Sequence, residues 1–215
     1  MTTPEDFRDD LLEEEDDERF LEEWREAERH AAGVVREALA GERGKPPPAD
    51  IARAAESVRA GIDAALYPLT WVARAAGFGA GATPAGDELL LASAAASIAP
   101  SEETGLDPEE ESMLFSLELA DWAGAVIELV REGAGALARP PDLAAAADRC
   151  PEIDGATAAE DMGLLEAGLS TAQLAWVALG LIDRDDRLTD VGAWVLPRAL
   201  TRAWGVDFDA EPGSD

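Results

Sequence analysis

The stretch LGLIDRDDRLTDVG, residues 179–192, holds several strong local structural signals within one short segment. Gly180 is suited to the left-handed conformation that ends many helices. The segments LID and RLT predict two short strands around a tight RDD turn, and Thr189 predicts the N-cap of a following helix. The stretch therefore predicts a helix end, a β-hairpin and a new helix start.

Two helices are predicted directly before this stretch. The segment ATAAEDMGLLEAG, residues 156–168, predicts one helix, with Gly168 as its stop. Ser170 and Gln173 then have the spacing of a capping box, which predicts that a second helix starts at Thr171. The two predicted helices are thus separated by a short turn.

Further helices are predicted on either side of this pair. Residues 141–149, PDLAAAADR, predict a short helix that ends at Cys150 because a proline follows. Residues 190–205, DVGAWVLPRALTRAWG, predict a last helix that Pro197 should kink or divide, since proline removes a backbone donor.

The Gly-Leu-Ile, Leu-Thr and Gly pattern at 180–192, with its flanking helices, resembles a winged helix-turn-helix domain over residues 141–205. The resemblance implies a winged-helix-like part at 138–206. In it, the helix at 171–179 would enter the DNA major groove and the hairpin would form the wing. The stretch at 188–209 also resembles the C-terminal ends of uncharacterised actinobacterial proteins, which have no activity to carry over.

Charge argues against the usual activity of winged helices. The helix at 171–179 contains no Lys or Arg, and residues 151–215 hold 13 acidic residues against 4 Arg. DNA binding depends on cations placed at phosphates. We therefore expect a module for packing or for binding a protein partner, and a DNA-binding transcriptional regulator is the alternative. The possible partner contacts are Thr171, Gln173, Trp176, Arg184 and Arg187.

The part at 18–137 is predicted to be a helical domain, which makes the fold class all-α. An apolar residue every three to four positions predicts a helix over 18–40. Asp50 and Asp87 are each expected to be the N-cap of a later helix. Tyr67-Pro68 is expected to interrupt the chain between two helical pieces.

The clearest helix start in the sequence is LDPEEES, where Asp107 is the expected N-cap and Pro108 the first helical residue. The helix should continue to residue 132 as the buried centre of the domain, because almost all of it is apolar. Trp122 is the best single candidate for the core. The predicted polar stripe consists of Glu118, Asp121, Glu128 and Glu132.

The overall charge is strongly negative. The 215 residues include 46 acidic and 17 basic ones, so the net charge is -29. Such a field repels nucleic acid and anionic membranes. Residues 1–17 are expected to be a disordered acidic tail and 207–215 a flexible tail. The acidity fits either a high-salt habitat or a function, and the sequence leaves both open.

Enzymatic chemistry has little support in the sequence. His30 is the only histidine and Cys150 the only cysteine, so we predict no catalytic, cofactor-binding or metal-binding residue. An enzyme that uses carboxylates and a metal is a weaker alternative. The lone cysteine and the absence of a signal-peptide pattern favour a cytoplasmic protein without a membrane segment.

The net charge of -29 predicts that salt stabilises the fold. Ions screen the repulsion between acidic groups over a Debye length of about 10 Å at 0.1 M salt. The melting temperature should therefore rise as KCl is added, which thermal unfolding followed by circular dichroism measures. A melting temperature that is flat or falls with salt would show that the repulsion is small.

Overall fold

The computed structural model describes residues 46–78, 84, 86–98, 119–150 and 159–203, together with single positions 26 and 33. Within these ranges the chain forms seven α-helices and no continuous strand, which confirms the predicted all-α class. The expected tails, the helix at 18–40 and the helix start at Asp107 lie outside the described residues. The helices are α1 (Pro48–Asp63), α2 (Leu69–Ala75), α3 (Asp87–Ile98), α4 (Leu119–Glu132), α5 (Pro140–Arg149), α6 (Ala159–Ala178) and α7 (Asp190–Ala203).

Two residues predicted as N-caps, Asp50 and Asp87, lie in the first turn of their helices instead. Helix α1 begins at Pro48, and Asp50 lies in its first turn, 2.9 Å from the Arg53 guanidinium. Proline at the first helical position has a φ already suited to the helix, so the start moves ahead of the aspartate. Similarly, α3 begins at Asp87 itself, directly after Gly86 with a φ of 61°. Both carboxylates still lie near the positive end of a helix dipole.

The chain turns between the first two helices. Residues 64–68 form the connection, in which Leu66 and Tyr67 are exposed while Pro68 is buried. The predicted interruption at Tyr67-Pro68 is thus confirmed. Helix α2 then buries Trp71 and Val72 against α3.

Helix α3 is the centre of the described part. It buries all its residues from Ala92 to Ile98, and it packs most extensively on α7 and also on α1, α2 and α6. Its many alanines permit this, since short side chains let several helices approach one helix closely. The buried side chains of all seven helices form one continuous hydrophobic cluster.

Helix α4 matches its prediction in the part that the structure describes. Trp122 is fully buried, while Asp121 and Glu128 are half-buried and Glu132 is exposed. A Cβ at Gly124 would lie 3.1 Å from the backbone of Ala147, so this glycine allows the close contact between α4 and α5.

Helix α6 differs most from its prediction. The sequence predicts a stop at Gly168 and a new start at Thr171, whereas the helix is continuous from Ala159 to Ala178. The Ser170 hydroxyl donates to the carbonyl of Glu166, one turn back, instead of capping a new helix (2.7 Å). Gly168 is buried, so packing on neighbouring helices outweighs the local stop signal.

The last helix contains Pro197 but is not divided by it. Helix α7 runs from Asp190 to Ala203, and Pro197 is buried. The Arg198 side chain donates to the carbonyl of Trp194 (3.0 Å) and lies 4.9 Å from the centre of its ring. These contacts stabilise the turn that proline weakens. None of the helices in the described ranges has the length and apolar character needed to cross a bilayer.

Two tryptophans join the helices at the core. The rings of Trp122 and Trp176 meet edge to face at 6.1 Å, and both are fully buried. The Trp176 indole N–H donates to the Ser97 hydroxyl of α3 (3.0 Å). The Trp122 indole N–H is buried without a hydrogen-bond partner.

Trp122→Ala should lower the free energy of unfolding by about 3–5 kcal/mol, the usual cost of truncating a buried aromatic residue. Chemical denaturation measures this value. A loss below about 1 kcal/mol would place Trp122 outside the essential core.

Matched phenylalanine substitutions separate volume from hydrogen bonding. Trp176→Phe and Trp122→Phe remove the same atoms, but only the first removes a hydrogen bond. Trp176→Phe should therefore cost about 1 kcal/mol more than Trp122→Phe. Equal losses would show that the bond to Ser97 contributes nothing.

Candidate functional site

Helix α6 presents one face to solvent. Leu174 is 53% exposed, Glu166 is exposed, and Ser170, Gln173 and Val177 are half-buried. Their spacing of three or four residues places them on the same side of the helix. An exposed leucine is ordinary by itself, but here it lies midway along a polar stripe on a helix otherwise packed into the core.

The chain reverses direction just after α6, in the turn Asp183–Asp186. Asp183 Oδ1 accepts hydrogen bonds from the backbone N–H groups of Asp185 and Arg187, each at 2.9 Å. Asp186 has a left-handed φ of 58°, and the N–H of Asp183 donates to the carbonyl of Arg187 (2.8 Å). The aspartate side chain thus holds the turn closed.

The residues after the turn pair with two other segments. Leu188 forms an antiparallel bridge with Ile182. Its N–H donates to the carbonyl of Ala136 (2.9 Å), and its own carbonyl accepts from Gly135 (2.8 Å). The Arg187 guanidinium also donates to the carbonyl of Gly135 (2.7 Å). A short segment before α5, which the sequence did not predict to be extended, is thereby joined to the turn.

A side-chain hydrogen bond fixes the turn against the helix. Gln173 Nε2 donates to Asp186 Oδ1 at 2.9 Å. The exposed stripe and the turn therefore form one preorganised surface, called here the α6–turn face. It consists of Glu166, Ser170, Gln173, Leu174, Val177 and the turn residues 183–186.

The end of α6 and the start of α7 meet at one hydroxyl. The Thr189 hydroxyl lies 3.0 Å from the carbonyl oxygens of Gly180 and Leu181, and it accepts from the N–H of Gly192 (2.9 Å). The predicted N-cap is confirmed. Gly180 has a φ of 73° and ends α6 with a Schellman pattern, as the N–H of Leu181 donates to the carbonyl of Trp176 (2.9 Å).

Only some of the predicted contact residues are accessible. Gln173 is half-buried, and Arg184 and Arg187 are exposed in or beside the turn. Trp176 and Thr171 are buried, so the prediction that they contact a partner is corrected: the continuous helix turns both side chains towards the core.

The sequence reading missed Leu174 and Glu166. The wrong prediction of a helix end at Gly168 placed the two residues on different helices, so the sequence did not indicate that they share a face. Glu166, Ser170 and Leu174 are spaced four residues apart, and this spacing indicates that they lie on the same side of one continuous helix.

The α6–turn face and its rim carry more carboxylates than cations. Five carboxylates lie there against three guanidinium groups: Glu166, Asp183, Asp185, Asp186 and Asp190 against Arg184, Arg187 and Arg139, whose charge acts on Asp186. Four ion pairs among the described residues lie elsewhere, on α1, on α4, at α5 and between α3 and α7. None of these four ion pairs includes a carboxylate of the α6–turn face.

A small cavity of about 160 Å³ lies between α4 and α5. Leu129 and Leu143 contribute its apolar walls, and Asp142 lies at its rim. Arg139 holds that carboxylate with two hydrogen bonds of 2.5 and 3.2 Å, and the bond and charge of Asp142 raise the pKa of Arg139. This volume is below the range of about 300–1,000 Å³ typical of ligand pockets.

The α6–turn face offers apolar contact, amide and hydroxyl groups, and negative charge. Among the described residues, no three or more His, Cys, Asp or Glu side chains are grouped so as to hold a metal ion. Comparison of the chain with models of protein families, with curated proteins and with solved structures gives no match.

Thr189→Ala should lower the free energy of unfolding by about 0.5–2 kcal/mol, because it leaves the first N–H groups of α7 uncapped. Thr189→Ser keeps the hydroxyl and should retain most of the stability. Thermal and denaturant unfolding of both variants measure the difference. Equal losses would mean that the threonine methyl, not the hydroxyl, stabilises this junction.

Proposed function

We propose that the chain is a non-enzymatic interaction or regulatory protein of the cytoplasm, with a winged-helix-like part that binds a protein partner through the α6–turn face. The observation that carries this proposal is the combination of an exposed Leu174 with an excess of carboxylates and no Lys or Arg on α6. A surface of this kind is suited to a protein and repels the phosphates of nucleic acid.

The order of elements supports a winged-helix-like part that begins earlier than residue 138. The helix α4 is followed by the short segment at 136–138, which includes the bridge residue Leu137, by α5 and α6, and then by the turn. The pairing of Leu137 and Leu188 with neighbouring segments gives three short extended pieces beside three helices. On this proposal α6 would correspond to the recognition helix and the turn to the wing.

A DNA-binding regulator is the second candidate, because the same order of elements favours it. Arg184 is exposed in the turn and makes no hydrogen bond or ion pair with the described residues. Arg187, in contrast, already donates to the carbonyl of Gly135. A single free cation beside four aspartates is a weak basis for phosphate binding, which needs several cations.

The two candidates differ in what contacts position 174. We expect a photo-crosslinking amino acid placed there, in cells that express the chain naturally, to give an adduct with another protein. The same amino acid at position 66 is the control, since Leu66 is equally exposed (55% against 53%) but lies in the connection between α1 and α2. Equal adducts at both positions would contradict a specific face.

Purified protein should not bind duplex DNA more tightly than about 10 µM at physiological salt, measured by fluorescence anisotropy with random and genomic fragments. Tighter binding that is lost in Arg184→Ala combined with Arg187→Ala would favour the regulator instead. A crosslink from position 174 to DNA would have the same meaning.

A further inference from the structure

We infer that the partner offers the α6–turn face an amphipathic helix whose apolar stripe is flanked by Arg or Lys. This inference rests on the proposed function and specifies the chemistry of the partner. Three features of the face support this inference: its shape, its unpaired negative charge, and the fact that its backbone N–H and carbonyl groups are already hydrogen-bonded.

The shape of the face suits a helix. Leu174 is 53% exposed, and Gly163, Ala167 and Ser170 precede it on the same side with short side chains. A long side chain next to short ones gives a ridge and a shallow groove, into which the side chains of a second helix can pack. An apolar side chain of the partner would then cover Leu174.

The negative charge of the face is complementary to cations on the partner. Asp183 accepts the backbone N–H groups of Asp185 and Arg187, so these hydrogen bonds leave its negative charge uncompensated. Asp186 accepts the amide of Gln173 and also interacts with the positive charge of Arg139, so it is not counted among the unpaired carboxylates. Glu166 and Asp185 are exposed and make no ion pair with the described residues. Negative groups thus lie at both ends of the stripe, with Leu174 between them, which matches cations on both flanks of a bound helix.

The backbone of the face favours binding by side chains. The N–H and carbonyl groups of α6 are used within the helix, and those of Leu188 pair with the segment at 135–138. An added strand therefore finds no open edge at this pairing, whereas a helix needs none. A second copy of the chain would bring carboxylates against carboxylates at a net charge of -29 per copy.

The test uses the full chain and two synthetic helical peptides, read by fluorescence anisotropy. Both peptides have the same Leu and Ala stripe; one has Arg on its flanks and the other has Glu at the same positions. We expect the Arg peptide to bind at least about tenfold more tightly than the Glu peptide, and its affinity to fall with added salt.

Variants locate the binding on the face. Leu174→Ala should weaken the Arg peptide about tenfold, as loss of a central apolar contact does. Glu166→Gln with Asp185→Asn should weaken it several-fold. The controls are Leu66→Ala, which removes an equally exposed leucine, and Glu56→Gln with Asp63→Asn, which removes two charges from the exposed side of α1. Both controls should bind as the parent does.

The inference fails if the Glu peptide binds as well as the Arg peptide, if neither binds, or if the control charges matter as much as those of the face. It also fails if Leu174→Ala instead dissociates a dimer in analytical ultracentrifugation, because a second copy would then cover the face. If these tests fail while the crosslink from position 174 to a protein persists, the proposed function stands and the partner chemistry is different.

Discussion

The buried indole of Trp176 sets the orientation of α6, and the rest of the described C-terminal structure depends on it. Its ring meets Trp122 of α4, and its N–H donates to Ser97 of α3, so one side chain contacts two other helices. Its carbonyl accepts the N–H of Leu181 and closes the end of the helix. Because residues on opposite sides of a helix are fixed together, burying Trp176 turns Leu174 and Ser170 outwards.

Several features were predictable from the sequence because local and tertiary signals agree there. Thr189 caps α7 by forming a hydrogen bond within three residues, and Gly180 adopts a positive φ whose cost is low only for glycine. Trp122 lies on the apolar side of a helix with few polar groups, so its burial follows from periodicity. In each case the signal lies in neighbouring residues, and the tertiary packing agrees with it.

The wrong predictions concern two kinds of residue. Some have hydrogen-bond partners that are distant in sequence, and others have a local capping or stop signal that tertiary packing outweighs. Gln173 has the spacing of a capping box, yet its amide bonds to Asp186, thirteen positions away in sequence. Ser170 turns back to the Glu166 carbonyl, as serine does inside helices. The segment at 135–138 is short and lacks a strand pattern, so its pairing with Leu188 was visible only in three dimensions. The exposed face of α6 was missed for the same reason, since it exists only when the helix is continuous.

The distribution of charge connects this fold to its proposed role. Asp50, Glu88, Glu128 and Asp142 each lie beside an arginine within 3 Å, so their charges are locally balanced. The carboxylates of the α6–turn face form none of these ion pairs. Arg139 interacts with the charge of Asp186, but Arg187, which is next to Asp186 in sequence, is directed to the Gly135 carbonyl. Exposed ion pairs contribute little to stability, so their absence here costs the fold almost nothing. It leaves a negative surface around Leu174, and the proposed binding of a cationic partner rests on this surface.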